Sequence, residues 1–210
     1  MGRLMNEEHW KPVVCVVDDD GAMRDSIACL LESVDLPSRQ FADAHSFIEF
    51  CDPRLQGCIL LDIRMPGMSG MELLEHLKTN GMSIPVIIIT GHGDVPLAVR
   101  ALKLGAFDFV QKPFSANDLL DRVRAALLQE EQDSRKHRTR DQLRSHFEAL
   151  TGREREIMEL VVAGDSSKMI GMKLGISSRT VDIHRSNIMR KLNIRTVAEL
   201  VQNRLALRND

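Results

Sequence analysis

A run of apolar residues followed at once by three aspartates forms the segment VVCVVDDD, residues 13–20. Further apolar runs follow along the chain, namely a weaker SRQF (38–41) and then CILL (58–61), PVIII (85–89) and FDFV (107–110). Short, continuous runs of Val, Ile and Leu are typical of strands that are buried on both faces of a parallel sheet. The pattern therefore predicts five strands.

Segments with the periodicity of amphipathic helices lie between these runs, near residues 22–34, 43–51, 70–80, 95–104 and 116–129. Strands that alternate with helices predict an α/β fold with right-handed crossover connections. We expect residues 12–129 to form a doubly wound, flavodoxin-like domain with a five-stranded parallel sheet. In such sheets the working residues gather at the carboxyl ends of the strands.

The remainder of the chain lacks strand-like runs. Residues 149–208 show helical periodicity only, which predicts a small all-α domain of four helices. The periodicity is interrupted at Gly164-Asp165, Gly175-Ile176 and Asn193-Ile194. Two of these helices, near 166–174 and 178–192, are separated by a short turn, as in a helix-turn-helix. The charged stretch 130–148 links the two domains, either as a solvated helix or as a flexible tether.

The charges are unevenly distributed along the 210 residues, whose formal net charge is −2. Residues 1–129 carry 12 Lys and Arg against 18 Asp and Glu, whereas residues 149–210 carry 11 against 7. A basic C-terminal region suits contact with nucleic acid. No apolar run approaches the roughly 20 residues that cross a bilayer, and MGRLMNEEHWK (1–11) lacks the apolar core of a secretory signal. We therefore expect a cytoplasmic protein without a membrane partner.

The cysteines and histidines give no sign of a metal site or of disulfides. None of the four cysteines belongs to a C-x-x-C pair, and all lie among apolar residues, at Cys15, Cys29, Cys51 and Cys58. We expect them to act as small buried hydrophobic residues. The seven histidines are scattered along the chain, so no zinc site is predicted.

Polar residues follow four of the predicted strands, as Asp18-Asp19-Asp20, Asp62, Thr90 and Lys112-Pro113. Parallel topology brings these strand ends to the same edge of the sheet. Clustered carboxylates favour a bound cation, and Mg²⁺ (or Mn²⁺) prefers oxygen ligands and bridges to phosphate oxygens. A carboxylate held there can attack phosphorus and form an aspartyl phosphate. Taken singly, each residue could instead cap a helix or form a turn, but the ordered set favours a phosphoryl-transfer pocket.

Four motifs resemble the receiver domain of two-component response regulators, namely VVDDD (16–20), LLDIRMPGMSG (60–70), IIITGHGD (87–94) and FVQKPF (109–114). The resemblance implies that Asp62 accepts the phosphoryl group. It also implies a metal site formed by Asp18, Asp19, Asp62 and the backbone carbonyl of Arg64. It further implies that Thr90 provides the switch hydroxyl and that Lys112 pairs with the phosphoryl group. Pro113 would follow Lys112 through a cis bond, and Phe109 would be the aromatic switch residue.

The second helix of the predicted helix-turn-helix has two distinct faces. At about 100° per residue, one face carries the residues expected to pack inward, Val181, Ile188 and Leu192. The opposite face carries Arg179, Asp182, Ile183, Ser186 and Arg190. The basic residues that flank this face are Lys168, Lys173, Arg185 and Lys191. Such a helix can present hydrogen bonds and a methyl contact to a major groove and can pair with phosphates. An ordinary amphipathic helix with a solvated charged side fits the periodicity equally well.

The segment from about 149 to 208 resembles the four-helix DNA-binding domain of LuxR- and NarL-type regulators, in TGRERE (151–156) and ISSRTVDIHRSNIMRKLNIRT (176–196). The whole chain most resembles the FixJ-type subgroup, whose DNA-binding segment maps onto Ser167 to Ser186 and includes Thr180 and His184. Two positions depart from the family, because Asp182 replaces a frequent Lys and Gly171 a usual Ala. Asp182 could accept a hydrogen bond from a cytosine amino group. Gly171 destabilises the helix by about 1 kcal/mol relative to alanine.

These features together predict a transcription factor whose DNA binding is controlled by phosphorylation of Asp62. A sensor histidine kinase would donate the phosphoryl group, and the surface around residues 95–104 and 107–110 would then form a homodimer contact. Promoter DNA and RNA polymerase are the expected further partners. We expect no enzymatic activity beyond slow autodephosphorylation.

Two other functions fit parts of the pattern. Aspartyl-phosphate hydrolases of the haloacid dehalogenase type also use an aspartate nucleophile with Mg²⁺. These hydrolases need a second acidic residue two positions after the nucleophilic aspartate, and this chain has Arg64 two positions after Asp62. A receiver that acts as a docking module without phosphorylation would need none of the pocket residues, yet all of them are present.

Overall fold

The computed structural model describes residues 12–91 and 95–207. The expectations for segment 1–11, for residues 92–94 of the GHGD motif and for residue 208 lie outside the described residues. The chain divides into two compact units, Met1–Ser134 and Arg135–Asp210. In the described part, no helix combines the length and the apolar character needed to cross a membrane.

The described residues of the first unit contain a five-stranded parallel sheet in the order β2-β1-β3-β4-β5. The strands are β1 (Val13–Val17), β2 (Ser38–Phe41), β3 (Gly57–Asp62), β4 (Val86–Thr90) and β5 (Asp108–Gln111). The predicted fold class is confirmed. Because the strand order reverses between β1 and β3, the crevice at their carboxyl ends is the expected place for a functional site.

The helices that flank the sheet are α1 (Gly21–Glu32), α2 (Ala44–Phe50), α3 (Gly70–Thr79), α4 (Val95–Lys103) and the first part of α5 (Ala116–Glu148). Alternate residues of a strand point to opposite faces of the sheet, so the sheet separates two apolar cores. Val17 and Leu61 face the core formed with α2, α3 and α4, whereas Val16 and Leu60 face the core formed with α1 and α5.

The four cysteines are free thiols in different surroundings. Cys15 and Cys58 are buried as predicted, and burial raises the pKa of both thiols, that of Cys15 to about 12. Cys51 is half-buried, and the prediction of burial is wrong for Cys29, which is exposed. Cys29 lies on the outward side of α1, because the helix buries Ile27 and Leu31 instead.

Helix α5 continues to Glu148, well beyond the predicted end at residue 129. The charged stretch 130–148 is therefore helical, which is one of the two conformations expected for it. The stretch contains neither Gly nor Pro, and side chains bond along the helix, as Ser134 Oγ does to Glu130 Oε1 at 2.8 Å. Polar pairs four residues apart stabilise a helix.

The described residues of the second unit form, after the end of α5, the four predicted helices α6 (Gly152–Val162), α7 (Ser167–Leu174), α8 (Ser178–Lys191) and α9 (Val197–Ala206). Each begins at a hydroxyl N-cap that accepts a hydrogen bond from its first turn, at Thr151, Ser166, Ser177 and Thr196. Their inward faces form one apolar core, which includes Ile157, Ile170, Val181 and Leu200.

The unusual glycine at position 171 has a steric explanation. A β-carbon at Gly171 would lie 2.7 Å from the backbone oxygen of Ile176, because α7 closely approaches the turn before α8. At the end of α7, Gly175 has a φ of 66°, a left-handed conformation that glycine adopts without strain. The helix propensity that Gly171 lacks is offset by close packing at the corner of the helix-turn-helix.

A partly buried ion pair links α6 to α8. Glu154 is 4% exposed, and its carboxylate accepts hydrogen bonds from Lys191 Nζ at 2.7 Å and from the backbone N and hydroxyl of Thr151 at 2.8 and 2.9 Å. Burial alone would raise the pKa of Glu154, but Lys191 and the Thr151 hydrogen bonds outweigh burial and lower it to about 2. Lys191, expected at the DNA, therefore also holds two helices together.

We predict that Glu154 makes the stability of the second unit depend on pH. Its ionised carboxylate stabilises the fold above its ordinary pKa of 4.5, and this stabilisation is lost as the pH falls toward the folded value of about 2. Glu154→Gln should lower the free energy of unfolding at pH 7 by about 1–3 kcal/mol, because Lys191 loses its charged partner. Urea unfolding of the full chain, followed by circular dichroism at pH 7 and at pH 3, measures this.

Glu156→Gln is the matched control. Glu156 lies on the same helix, pairs with Arg153 and has 51% of its side chain exposed. Its substitution should change the free energy of unfolding by less than about 0.5 kcal/mol. Equal losses in both variants, or a Glu154→Gln effect at pH 3 as large as at pH 7, would contradict the role of the ion pair.

Candidate functional site

A lysine joins two carboxylates at the carboxyl edge of the sheet. Lys112, which follows β5, donates from Nζ to Asp18 Oδ2 at 2.8 Å and to Asp62 Oδ1 at 2.7 Å. The two partners lie 94 and 50 residues away along the chain. They meet because β1, β3 and β5 are parallel and end at one edge. The structure thus brings these three predicted site residues together.

Asp62 ends β3 and is almost enclosed, with 7% of its surface exposed. Its second carboxylate oxygen accepts a hydrogen bond from the backbone N of Arg64 at 2.7 Å. Gly70 begins α3 directly against this turn, and a β-carbon at Gly70 would lie 2.1 Å from the backbone oxygen of Asp62. The close contact fixes the backbone from which the Asp62 side chain projects.

The charges of the three residues are coupled. Burial raises the pKa of Asp62, and the hydrogen bond and charge of Lys112 lower it only in part, so the net direction is upward. Burial would lower the pKa of Lys112, but hydrogen bonds to Asp18 and Asp62 outweigh burial and raise it. At neutral pH a cationic lysine is therefore held between two acidic side chains, and Asp62 is more basic than an ordinary aspartate.

The three consecutive aspartates after β1 have different surroundings. Asp18 is 1% exposed; its Oδ1 accepts the backbone N of Asp20 at 2.8 Å, and its backbone oxygen accepts Arg24 Nη1 at 2.7 Å. Asp20 is the N-cap of α1. Asp19 is exposed and lines a cavity of about 730 Å³ that Arg64 also borders. Arg24 was not predicted from the sequence. The only signal that the sequence offers is its position in the first helical turn after the three aspartates.

The acidic residues suit a hard cation. Oxygens of Asp18 and Asp62 both approach one ammonium group within 2.8 Å, so the space between them accommodates positive charge. Two carboxylates provide part of an oxygen shell, which fits Mg²⁺ because this ion usually keeps several waters. Among the described residues, no three His, Cys, Asp or Glu side chains converge closely enough to hold a metal ion by themselves.

The predicted switch residues lie on β4 and β5. Thr90 is fully buried; its hydroxyl donates to the backbone oxygen of Gly91 at 3.3 Å, and its own backbone oxygen accepts Lys112 N at 2.7 Å. Phe109 is half-buried against the apolar core. The Lys112-Pro113 peptide bond is cis, as the resemblance implies. The backbone thus connects Thr90 directly to the lysine of the pocket.

Arg122 on α5 holds the backbone of Phe109. Its Nε donates to the backbone oxygen of Phe109 at 2.9 Å, and its guanidinium pairs with Asp108 at 3.4 Å and Asp118 at 3.0 Å. The aromatic switch position is thereby attached to the helix that continues to Glu148. Arg122 was not predicted from the sequence, since helical periodicity does not distinguish a bridging arginine from a solvated one.

Helix α8 has the two faces that its periodicity predicts. The inward residues Val181, Ile188 and Leu192 are 0%, 1% and 3% exposed. The opposite face is exposed and consists of Arg179, Asp182, Ile183, Ser186 and Arg190. Thr180 lies at the helix start and its hydroxyl bonds to that of Ser177 at 2.8 Å, whereas His184 is half-buried.

Most of the flanking basic residues have partners within the second unit. The pairs are Lys173–Asp165 at 2.6 Å, Lys191–Glu154 at 2.7 Å and Arg185–Ser167 at 3.3 Å. Lys168 is exposed. Lys173 and Lys191 would therefore have to exchange an acidic partner for a phosphate, whereas Lys168 is accessible as it stands.

Family comparisons agree with both units. Residues 14–124 match the family of response regulator receiver domains, and residues 148–203 match the luxR family of bacterial regulatory proteins. The transcriptional regulatory protein FixJ of Azorhizobium caulinodans is 45% identical over 189 residues, which are 90% of this chain and 90% of that protein. The response regulator protein TodT of Pseudomonas putida is 40% identical over 191 residues, 90% of this chain and 84% of TodT.

Solved structures show the same similarity. A low-resolution structure of the response regulator StyR is 44% identical, with a TM-score of 0.87, and the match covers 93% of this chain and 98% of StyR. Full-length FixJ from B. japonicum is 40% identical, with a TM-score of 0.58, over 94% of this chain and 97% of FixJ. The chain therefore belongs to the response regulators that combine a receiver domain with a LuxR-type DNA-binding domain, as FixJ-like transcriptional regulators do.

Proposed function

We propose that a sensor histidine kinase phosphorylates this regulator on Asp62 in the cytoplasm, and that phosphorylation promotes dimerisation and binding to promoter DNA. The observation that supports this most strongly is the position of Lys112. Its ammonium lies 2.7 Å from the buried Asp62 carboxylate and 2.8 Å from Asp18. A nucleophile, a second acid and a cation for the phosphoryl oxygens are thus already in contact.

The proposal assigns the receiver domain to residues 12–129, the connecting segment to residues 130–148 and the DNA-binding domain to residues 149–208. The division between Ser134 and Arg135 falls within the connecting segment, which supports this assignment. Each proposed domain has its own apolar core.

In the proposed reaction, an oxygen of the ionised Asp62 carboxylate attacks the phosphorus of a phosphohistidine. The P–O bond to Asp62 forms while the P–N bond breaks, and the histidine nitrogen keeps the electron pair. Lys112 neutralises charge on the phosphoryl oxygens, and Thr90 offers a hydroxyl from the neighbouring strand. The residues that would hold Mg²⁺ (or Mn²⁺), which neutralises further charge when bound, are Asp18, Asp19, Asp62 and the backbone carbonyl of Arg64.

The proposed switch acts through β4 and β5. Thr90 and Lys112 share a backbone hydrogen bond of 2.7 Å, and the two strands are paired along their length. A new bond from Thr90 or Lys112 to a phosphoryl group therefore pulls on the strand that carries Phe109. Because Phe109 has no hydroxyl, its displacement acts through packing against the apolar core, on which Leu97 and Leu104 also pack.

The surface of α4 beside β5 is the proposed dimer contact. Val99 and Leu102 are 43% and 37% exposed, so two large apolar side chains are presented next to the switch strand. Apolar surface of this kind suits burial in an interface. A two-fold dimer would place two recognition helices on half-sites about one helical turn apart, and the bound dimer would then contact RNA polymerase.

For DNA binding, we place α8 in the major groove and α7 across the sugar-phosphate backbone. The residues proposed to read base edges are exposed on α8, namely Arg179, Ile183, Ser186 and Arg190. The proposed phosphate contacts are Lys168 and Arg185 and, after exchange of their acidic partners, Lys173 and Lys191. Thr180 and His184 flank the contact at the start and the side of the helix.

Asp62→Asn should abolish phosphorylation by acetyl phosphate with Mg²⁺, because an amide cannot form the acyl phosphate. The phosphorylation-dependent gain in DNA binding should disappear with it. A Phos-tag gel and a fluorescence-anisotropy titration with a promoter duplex measure the two properties. Asp20→Asn is the control, since Asp20 caps α1 and asparagine caps equally well, so both properties should persist. A phosphorylated Asp62→Asn protein would refute the assignment.

We predict that Lys112 sets the pH dependence of phosphorylation. Only the ionised Asp62 carboxylate is a nucleophile, and without bound metal its pKa lies above the ordinary 3.8. The rate should fall about tenfold per pH unit below the pKa that this carboxylate has under the assay conditions. Lys112→Met removes the hydrogen bond and the charge that lower this pKa, so the midpoint should move to higher pH. Initial rates of labelling by acetyl phosphate at constant Mg²⁺ measure the profile.

Lys103→Met provides the comparison, because Lys103 is exposed on α4 and should leave the midpoint unchanged. A Lys112→Met midpoint equal to that of the wild type would show that the lysine does not control the ionisation of Asp62.

Leu102→Glu should weaken dimerisation of the phosphorylated protein at least about tenfold, because it places a charge in an apolar contact. Leu128 lies on α5 and is 57% exposed, so Leu128→Glu adds the same charge outside the proposed contact. In sedimentation velocity, the phosphorylated wild type and Leu128→Glu should be dimers, whereas Leu102→Glu should stay monomeric. Dimers of all three proteins would place the contact elsewhere.

A further inference from the structure

A serine hydroxyl connects the two helices of the helix-turn-helix. Ser167 Oγ donates to Asp182 Oδ1 at 2.6 Å, and Arg185 Nη1 donates to Ser167 Oγ at 3.3 Å. Ser167 is the first residue of α7, whereas its two partners lie three residues apart on α8. We call this set of Ser167, Asp182 and Arg185 the Ser167 relay.

The relay lies at the exposed edge of the contact between α7 and α8. Asp182 is exposed, and Ser167 and Arg185 are half-buried. On the opposite side of α8, Val181 and Ile188 pack into the apolar core. The two helices are thus joined by apolar packing on the inside and by a polar connection on the outside.

The surroundings of Asp182 explain how an acid is accommodated on this helix. A carboxylate facing DNA phosphates is repelled by them, but Asp182 accepts a short hydrogen bond, which is the strong, charge-assisted kind. The donor of this bond, Ser167, is the first residue of α7, where the dipole of that helix favours negative charge. Asp182 is therefore stabilised by the protein itself.

Arg185 has the opposite character. In the part of the chain that the structure describes, no carboxylate lies within 4.0 Å of its guanidinium. With Arg195 it borders a cavity of about 220 Å³ beside α8. The positive charge of Arg185 is thus not neutralised by an ion pair there, and the Ser167 hydroxyl is what orients it.

We infer that Asp182 is a positioning residue and not a reader of bases. Through the Ser167 hydroxyl it holds the guanidinium of Arg185 in place to contact a DNA phosphate. The inference rests on the proposed use of α8 for DNA binding. The positioning role explains why an acidic residue occupies a position at which a contact with a DNA base was expected. Asp182 orients Arg185 and does not bind a cytosine.

The salt dependence of DNA binding tests the relay, because each phosphate contact contributes about −0.9 to the slope of log K against log salt. In the phosphorylated full-length protein, Arg185→Gln should reduce the magnitude of this slope by about one phosphate. Ser167→Ala and Asp182→Ala should reduce it equally, and Ser167→Ala combined with Arg185→Gln should reduce it no further. Duplexes selected by the wild type from a randomised pool serve as the ligand.

Two controls separate charge from geometry. Asp182→Asn removes the negative charge but keeps an acceptor for Ser167, and it should keep the slope. Glu156→Gln removes the same charge from α6, away from α8, and should also keep it. The urea midpoints of unfolding of all variants should coincide with that of the wild type, so that a change in slope reports on DNA contact.

The relay is refuted if Ser167→Ala keeps the wild-type slope. It is also refuted if Asp182→Ala changes the preferred base at one position of the selected duplexes while Ser167→Ala does not, because Asp182 would then read that base. A wild-type protein that selects no duplex would overturn the proposed DNA-binding function together with the relay. If the wild type selects a duplex but Ser167→Ala leaves the salt slope unchanged, the relay alone is overturned and the DNA-binding function stands.

Discussion

The structure depends above all on one ammonium group held between two carboxylates. Lys112 can contact Asp18 and Asp62 together only because three parallel strands end at the same edge of the sheet. The pocket therefore forms only when the sheet has this topology. Phosphorylation would convert the Asp62 carboxylate, with its single negative charge, into an acyl phosphate with a charge of about −2, which would compete with Asp18 for the same lysine. The proposed chemistry therefore has to rearrange the contact that organises the pocket.

Two hydrogen bonds connect this region to its surroundings. In one, the backbone N of Lys112 donates to the backbone oxygen of Thr90, and in the other, Nε of Arg122 on α5 donates to the backbone oxygen of Phe109. Helix α5 runs past the division between the two compact units and contains neither Gly nor Pro. A displacement of β5 therefore acts on the first part of α5 through the bond between Arg122 and Phe109.

The sheet and the convergence of Asp18, Asp62 and Lys112 were predictable from two simple rules. Continuous apolar runs mark buried strands, and parallel strands bring their polar ends together. The length of α5 was not predictable, since a solvated helix and a flexible tether have the same charged composition. The partners of Asp182 and Lys191 were not predictable either, because spacing within α8 does not reveal which side chains of α6 and α7 approach it. Burial of Cys29 was wrongly predicted from apolar neighbours, although its position around α1 decides exposure.

Chemical location of the phosphoryl group tests the central claim most directly. Borohydride reduces an aspartyl phosphate to homoserine, so digestion and tandem mass spectrometry identify the aspartate that carried it. After treatment of the full-length protein with a histidine kinase or acetyl phosphate and Mg²⁺, we predict homoserine at position 62 and at no other aspartate. Homoserine at position 18 or 19, or an absence of homoserine in protein that nevertheless gains DNA affinity, would contradict the central role of Asp62.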